Sequence, residues 1–157
     1  MAFQVFLVPS VRAEDRASIW QLQQLAESYD IILRAARRSK HTHLSKADAA
    51  EIGKSDAVMA IVTKPLSLWA RAELAEARRH QKQVYFLVDH CIANSLKSLH
   101  ENVIVFDRDE GIHQVAQRVQ KVLNREKASK ETRTATGWLL GIGAALLIFG
   151  ALAGEPD

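Results

Sequence analysis

The sequence predicts an α/β domain, a parallel sheet covered by helices on both faces, followed by one apolar segment near the carboxyl end. Three observations lead there. Short apolar runs alternate with helical stretches of about ten to fifteen residues, the pattern of a parallel sheet joined by crossover helices. The runs AVMAIV (57–62) and VYFLV (84–88) are apolar without a break, as strands buried on both faces are. Residues 134–154 carry no charge at all.

FQVFLV (3–8) is a short, aromatic-rich first strand. A helix follows over 14–29, with Ile19, Leu22, Leu25 and Ala26 at helical spacing. DIILRAA (30–36) is the second strand run. LSKADAAEIGKS (44–55) is a helix with Ser45 as its N-cap and Asp48 in a capping-box position. DAVMAIVT (56–63) is the third strand, after which Pro65 and Ser67 open a helix running to Gln81. QVYFLVD and NVIVFD are the fourth and fifth strands. An amphipathic helix over 110–127 closes the domain, with Ile112, Val115, Val119 and Val122 along one side. Five strands within about 125 residues make a small doubly wound domain of the flavodoxin-like kind, whose ligands bind beyond the carboxyl ends of the strands, where strand order reverses.

The 157 residues suit one domain and a smaller appendage. Boundaries are expected at 1–125 for the α/β domain, 126–136 for a basic polar linker or helical extension, and 137–154 for a transmembrane helix. A net charge of +3, without arginines interleaved with aromatics, argues against nucleic acid as a partner. The lone Cys91 excludes an intrachain disulfide and a cysteine-rich metal site, and the HTH at 41–43 reads as a loop, so no metal is expected. The amino terminus reads as a strand rather than a leader.

WLLGIGAALLIFGALAG (138–154) approaches the ~30 Å of a bilayer's hydrocarbon core at ~1.5 Å per residue. Arg118, Lys121, Arg125, Lys127, Lys130 and Arg133 precede it and only EPD follows. The positive-inside rule then predicts a single-pass, carboxyl-terminal anchor in the lipid bilayer, with the α/β domain cytoplasmic and Trp138 at the interface. Glycines 137 and 141, and 150 and 154, have the spacing that lets membrane helices approach closely, so homo-oligomers are expected there too.

Three segments gather at the strand ends: PSVRAED with Ser10, Arg12 and Asp15; RAARRSKHTH with Arg34, Arg37, Arg38 and Lys40; and KPLSLWARAEL with Ser67, Trp69 and Glu73. Guanidinium groups match phosphates, a tryptophan offers a wall for a flat ring, and a carboxylate stabilises the sugar cation formed when a glycosidic bond breaks. Together they suit a phosphate-bearing nucleotide. The arginines alone equally suit a solvated face or an anionic lipid surface.

SLWARAEL (67–74) resembles the Ser-x-Trp-x-x-x-Glu-Leu signature of Toll/interleukin-1 receptor (TIR) domains, and it falls on the helix after the third strand, as it does in that family. FQVFLVPSVRAEDRASIWQLQQL and LSKADAAEIGKSDAVMAIVTK resemble the family's flanking segments, so the likeness spans roughly residues 3 to 125. The resemblance implies an NAD+ glycohydrolase or cyclase that needs no cofactor, with NAD+ as substrate, used in defence or cell-death signalling and ordered by self-association. It places the catalytic carboxylate at Glu73 and substrate contacts at Ser10, Arg12, Ser67, Trp69 and Arg34. The chain departs from the family in the proline of VPSVR and in its second loop. Alternatives are a non-catalytic nucleotide sensor whose membrane helices oligomerise to perturb the bilayer, a TIR adaptor, and a nucleoside deoxyribosyltransferase-like enzyme, which DAAEIGKSDAVMAIV fits about as well.

Overall fold

The computed structural model describes residues 2–36, 43–96 and 102–135. The expected span at 137–154, the residues Arg37, Arg38 and Lys40, and His41 lie outside them. Among the described residues no helix is long and apolar enough to cross a membrane.

Strands β1 (Phe3–Ser10), β2 (Ile31–Ala35), β3 (Ala57–Val62), β4 (Val84–Asp89) and β5 (Val103–Phe106) form one sheet in the order β2-β1-β3-β4-β5. All four pairings are parallel. This is the flavodoxin-like order, with its switch point between β1 and β3. Helices α1 (Arg16–Glu27), α2 (Lys46–Lys54), α3 (Leu68–Arg79) and α4 (His90–Leu96) make the four connections, α5 (Ile112–Ala135) follows β5, and a short 3-10 turn, Ala13–Asp15, precedes α1. The chain up to Gln120 is one compact unit; a second begins at Lys121, within α5.

Side chains alternate across the sheet and divide the core in two. Phe6, Val8, Val58, Ala60, Val62, Phe86 and Val88 pack with Ile52 of α2, Ala70, Leu74 and Ala77 of α3, and Ala93 of α4. On the opposite face Val5, Leu7, Met59, Ile61 and Leu87 are buried, together with Leu22 and Ala26 of α1 and Val115 and Val119 of α5. All six residues of β3 are buried, which explains its unbroken apolar run.

Two capping serines act as expected. Ser45 Oγ accepts the Asp48 amide at 3.0 Å and Ser67 Oγ accepts the Ala70 amide at 3.1 Å. At its far end α3 closes with Gln81 in the left-handed region, φ 54°, its amide bonded to Arg78 O and that of Lys82 to Ala77 O, both at 2.9 Å. This is a Schellman closure with glutamine where glycine is usual. Helix α4 is absent from the sequence reading. Of the stripe expected on α5, Val115 and Val119 are buried, while Ile112 and Val122 are only half-buried.

Candidate active site

Beyond the carboxyl ends of β1 and β3 the chain builds two groups of polar side chains, one over each face of the sheet. The first surrounds the start of α3. Ser10, the last residue of β1, is fully buried and lies beside Val62 in the sheet. Its hydroxyl donates to Pro65 O at 3.1 Å and accepts the Ser67 amide at 3.3 Å, while its carbonyl takes the Thr63 amide at 3.0 Å. Ser10 thus pins the turn that delivers Ser67 to the N-cap of α3. One turn further on, Glu73 is 1% exposed, and its Oε1 accepts the Trp69 indole N–H at 3.1 Å. A carboxylate so deeply buried is uncommon and costs several kcal/mol of desolvation that hydrogen bonds must offset.

The other glutamate on α3 is half-buried and has cationic partners. Glu76 is bound by Arg79 through Nε at 3.0 Å and Nη2 at 2.5 Å, and by His80 Nε2 at 3.0 Å. The hydrogen bond from Arg79, helped by His80, holds its carboxyl below the ordinary value. Glu73 and Glu76 are three residues apart, yet one is buried beside an indole and the other, half-buried, is paired with Arg79 and His80.

The remaining expected contacts are more dispersed. Trp69 is half-buried, as its bond to Glu73 requires. Arg34 stands within β2 rather than in the loop after it, beside Phe6, and its guanidinium meets Glu51 of α2 at 3.4 Å. With Phe6, Asp48 and Glu51 it lines a hollow on the α2 side of the sheet. Arg12 is exposed; its amide donates to Thr63 Oγ1 at 3.0 Å and its guanidinium reaches Glu14 at 4.0 Å. The structure therefore pairs Ser10 with Ser67 at the start of α3 and Trp69 with Glu73 one turn along it. It engages the hydroxyls of Ser10 and Ser67 in backbone bonds, and it gives Arg12 and Arg34 acidic neighbours of their own.

The second group lies over the α1 and α5 side; of its members the sequence points only to Asp15, and not to Arg108, Asp89, Glu14 or Thr63. Arg108, after β5, donates through Nε to Asp89 at 2.6 Å and through Nη2 to Asp15 at 3.0 Å, and Glu14 stands 3.6 Å from Nη1. Thr63 Oγ1 donates to the same Asp15 oxygen at 2.6 Å. Asp89, the last residue of β4, is 1% exposed. Its burial would raise its carboxyl, but the Cys91 amide at 2.9 Å and the Arg108 guanidinium together hold it below the ordinary value. The available signal was positional: an aspartate closing a buried strand, in a fold that binds ligands at strand ends.

No family model and no curated protein matches the chain. Among solved structures, it is similar to the CMP N-glycosidase BcmB of Clostridium botulinum, with a TM-score of 0.54 and 18% identity over 74% of this chain and 98% of that one. A response regulator receiver protein from Sinorhizobium medicae aligns over 80% of this chain and 97% of its own, with a TM-score of 0.48 and 16% identity. The fold is flavodoxin-like.

Proposed function

We propose that the chain cleaves the N-glycosidic bond of a nucleotide at the α3 side of the switch point, with NAD+ as its substrate. The observation that carries this is Glu73, a carboxylate 1% exposed and tethered by the Trp69 indole on the helix that follows β3. In the reaction Glu73 bonds the ribose hydroxyls and stabilises positive charge at the anomeric carbon. The C1′–N bond breaks and its electron pair leaves with nicotinamide. Water then adds to the sugar cation and releases a proton, or an adenine nitrogen closes a ring. The Clostridium structure of the same fold is named for breaking an N-glycosidic bond of CMP, which is the same class of chemistry. The resemblance of SLWARAEL to the TIR signature is what favours NAD+ over a mononucleotide in this proposal. Because Glu73 is 1% exposed, the proposal requires its cover to move before substrate reaches it, a step we assign to chain assembly. We extend the proposal to a single-pass anchor at 137–154 that holds the α/β domain on the cytoplasmic side and concentrates it for self-association.

The test is nicotinamide release from NAD+ by the full-length chain, beside Glu73→Ala at matched abundance, with CMP offered in parallel. Release from NAD+ that is lost in Glu73→Ala supports the proposal. Release of cytosine alone keeps the reaction class and overturns the substrate. A chain that is toxic to cells yet leaves both nucleotides intact fails as an enzyme. That outcome favours the sensor reading.

A further inference from the structure

The side of the sheet away from Glu73 holds a cavity of about 240 Å³, between α1, the start of α5 and the ends of β1, β3, β4 and β5. Its walls are largely apolar: Val11, Ile19 and Leu22 from the first crossover, Ile61 and Leu87 from the sheet, and Phe106. Its polar lining includes Asp15, Asp107 and Glu110, against one cation, Arg108. A void of this size and shape is smaller than most drug-sized pockets and suits a ligand of about one ring.

The sign of that ligand follows from Arg108. Its guanidinium is already shared among Asp89, Asp15 and Glu14, at 2.6, 3.0 and 3.6 Å, so it offers little to an anion. Glu110 is bound to Arg118. Asp15 receives both Thr63 and Arg108 on Oδ2, and among the described residues its Oδ1 accepts nothing. Asp15 is thus an acceptor with spare capacity beside an apolar chamber. A phosphate or carboxylate would meet net negative charge there, whereas an ammonium group would meet a carboxylate, in a setting less screened than open water.

We propose that this cavity is a binding site for a small organic cation, a protonated amine on an apolar or aromatic body. The amine bonds Asp15 at the mouth, and the body fills the space against Leu22, Ile61 and Leu87. The site is separate from the Glu73 side of the sheet and does not depend on the activity proposed there.

The test titrates benzylamine, benzyl alcohol and benzoate into the full-length chain in lipid nanodiscs, following the methyl resonances of Leu22, Ile61 and Leu87. Saturable shifts of those methyls are expected with benzylamine, at least tenfold weaker with benzyl alcohol, and absent with benzoate. Asp15→Asn should weaken benzylamine at least tenfold. Ile19→Trp, which adds bulk at a half-buried wall, should abolish the shifts even if Asp15→Asn proves poorly folded. Benzoate binding as tightly as benzylamine, shifts confined to other methyls, or no saturable shift at all would each overturn the proposal.

Discussion

Replacing Ser10 by alanine tests whether its hydroxyl serves the substrate or the fold. The side chain is fully buried and makes two bonds, to Pro65 O at 3.1 Å and from the Ser67 amide at 3.3 Å. A buried neutral hydrogen bond contributes about 1 kcal/mol net, and more when its partner is stranded away from water. Pro65 is exposed, so its carbonyl regains water, while the half-buried Ser67 amide does so less completely. The sum is about 1.5–2.5 kcal/mol, or a melting point lower by about 6–10 °C at about 4 °C per kcal/mol. The assay is thermal unfolding of the full-length chain and Ser10→Ala, followed by far-UV circular dichroism. Ser67→Ala should cost about 1 kcal/mol as a lost cap. The double variant should cost less than the sum, because both changes loosen the same turn. A Ser10→Ala melting point within about 2 °C of the native one, with KM for NAD+ raised, would refute this reasoning and restore Ser10 as a substrate contact.

Glu73→Gln retains an oxygen for the Trp69 indole, so stability should change by less than about 1 kcal/mol while nicotinamide release falls at least about 100-fold; retained turnover would remove Glu73 from the chemistry. Asp89 has its carboxyl held below the ordinary value, so its stabilisation is present above about pH 4 and is lost as pH falls through the folded-state value. Asp89→Asn should therefore melt well below the native chain at pH 7, with the gap narrowing below about pH 4, and a gap independent of pH would show that the charge contributes nothing. Gln81→Gly relieves a left-handed backbone at φ 54° and should raise stability by about 0.5 kcal/mol after glycine's added chain entropy, measured as a higher urea midpoint.

The parts of the fold legible in the sequence are those where one local pattern suffices. AVMAIV reads as a strand because both of its faces are buried, and Ser45 and Ser67 read as caps because a cap is defined within four residues. Helix α4 has seven residues and starts directly after β4, where the Cys91 amide turns back onto Asp89; a segment so short carries no periodicity. Pairing across the chain was also hidden. Arg108 meets Asp89 across 19 residues and Asp15 across 93, and no spacing rule joins positions that far apart. The motif drew attention to Glu73, but it did not show how deeply the side chain is buried. Burial depends on α3 packing against β1 and α2, which the eight motif residues do not encode.

The strand order also governs when the domain can assemble on the ribosome. β1 is made first, yet its second neighbour is β3: Gln4 and Asp56 exchange bonds at 2.8 and 2.7 Å across 52 residues. At about 5–20 residues per second, that interval is about 3–10 s of synthesis. During it the apolar run FQVFLV can pair with β2 at most, and the edge meant for β3 stays open. The strand that ends at Ser10 therefore keeps one edge open until β3 is made, and it is a natural place for a chaperone to hold the nascent chain.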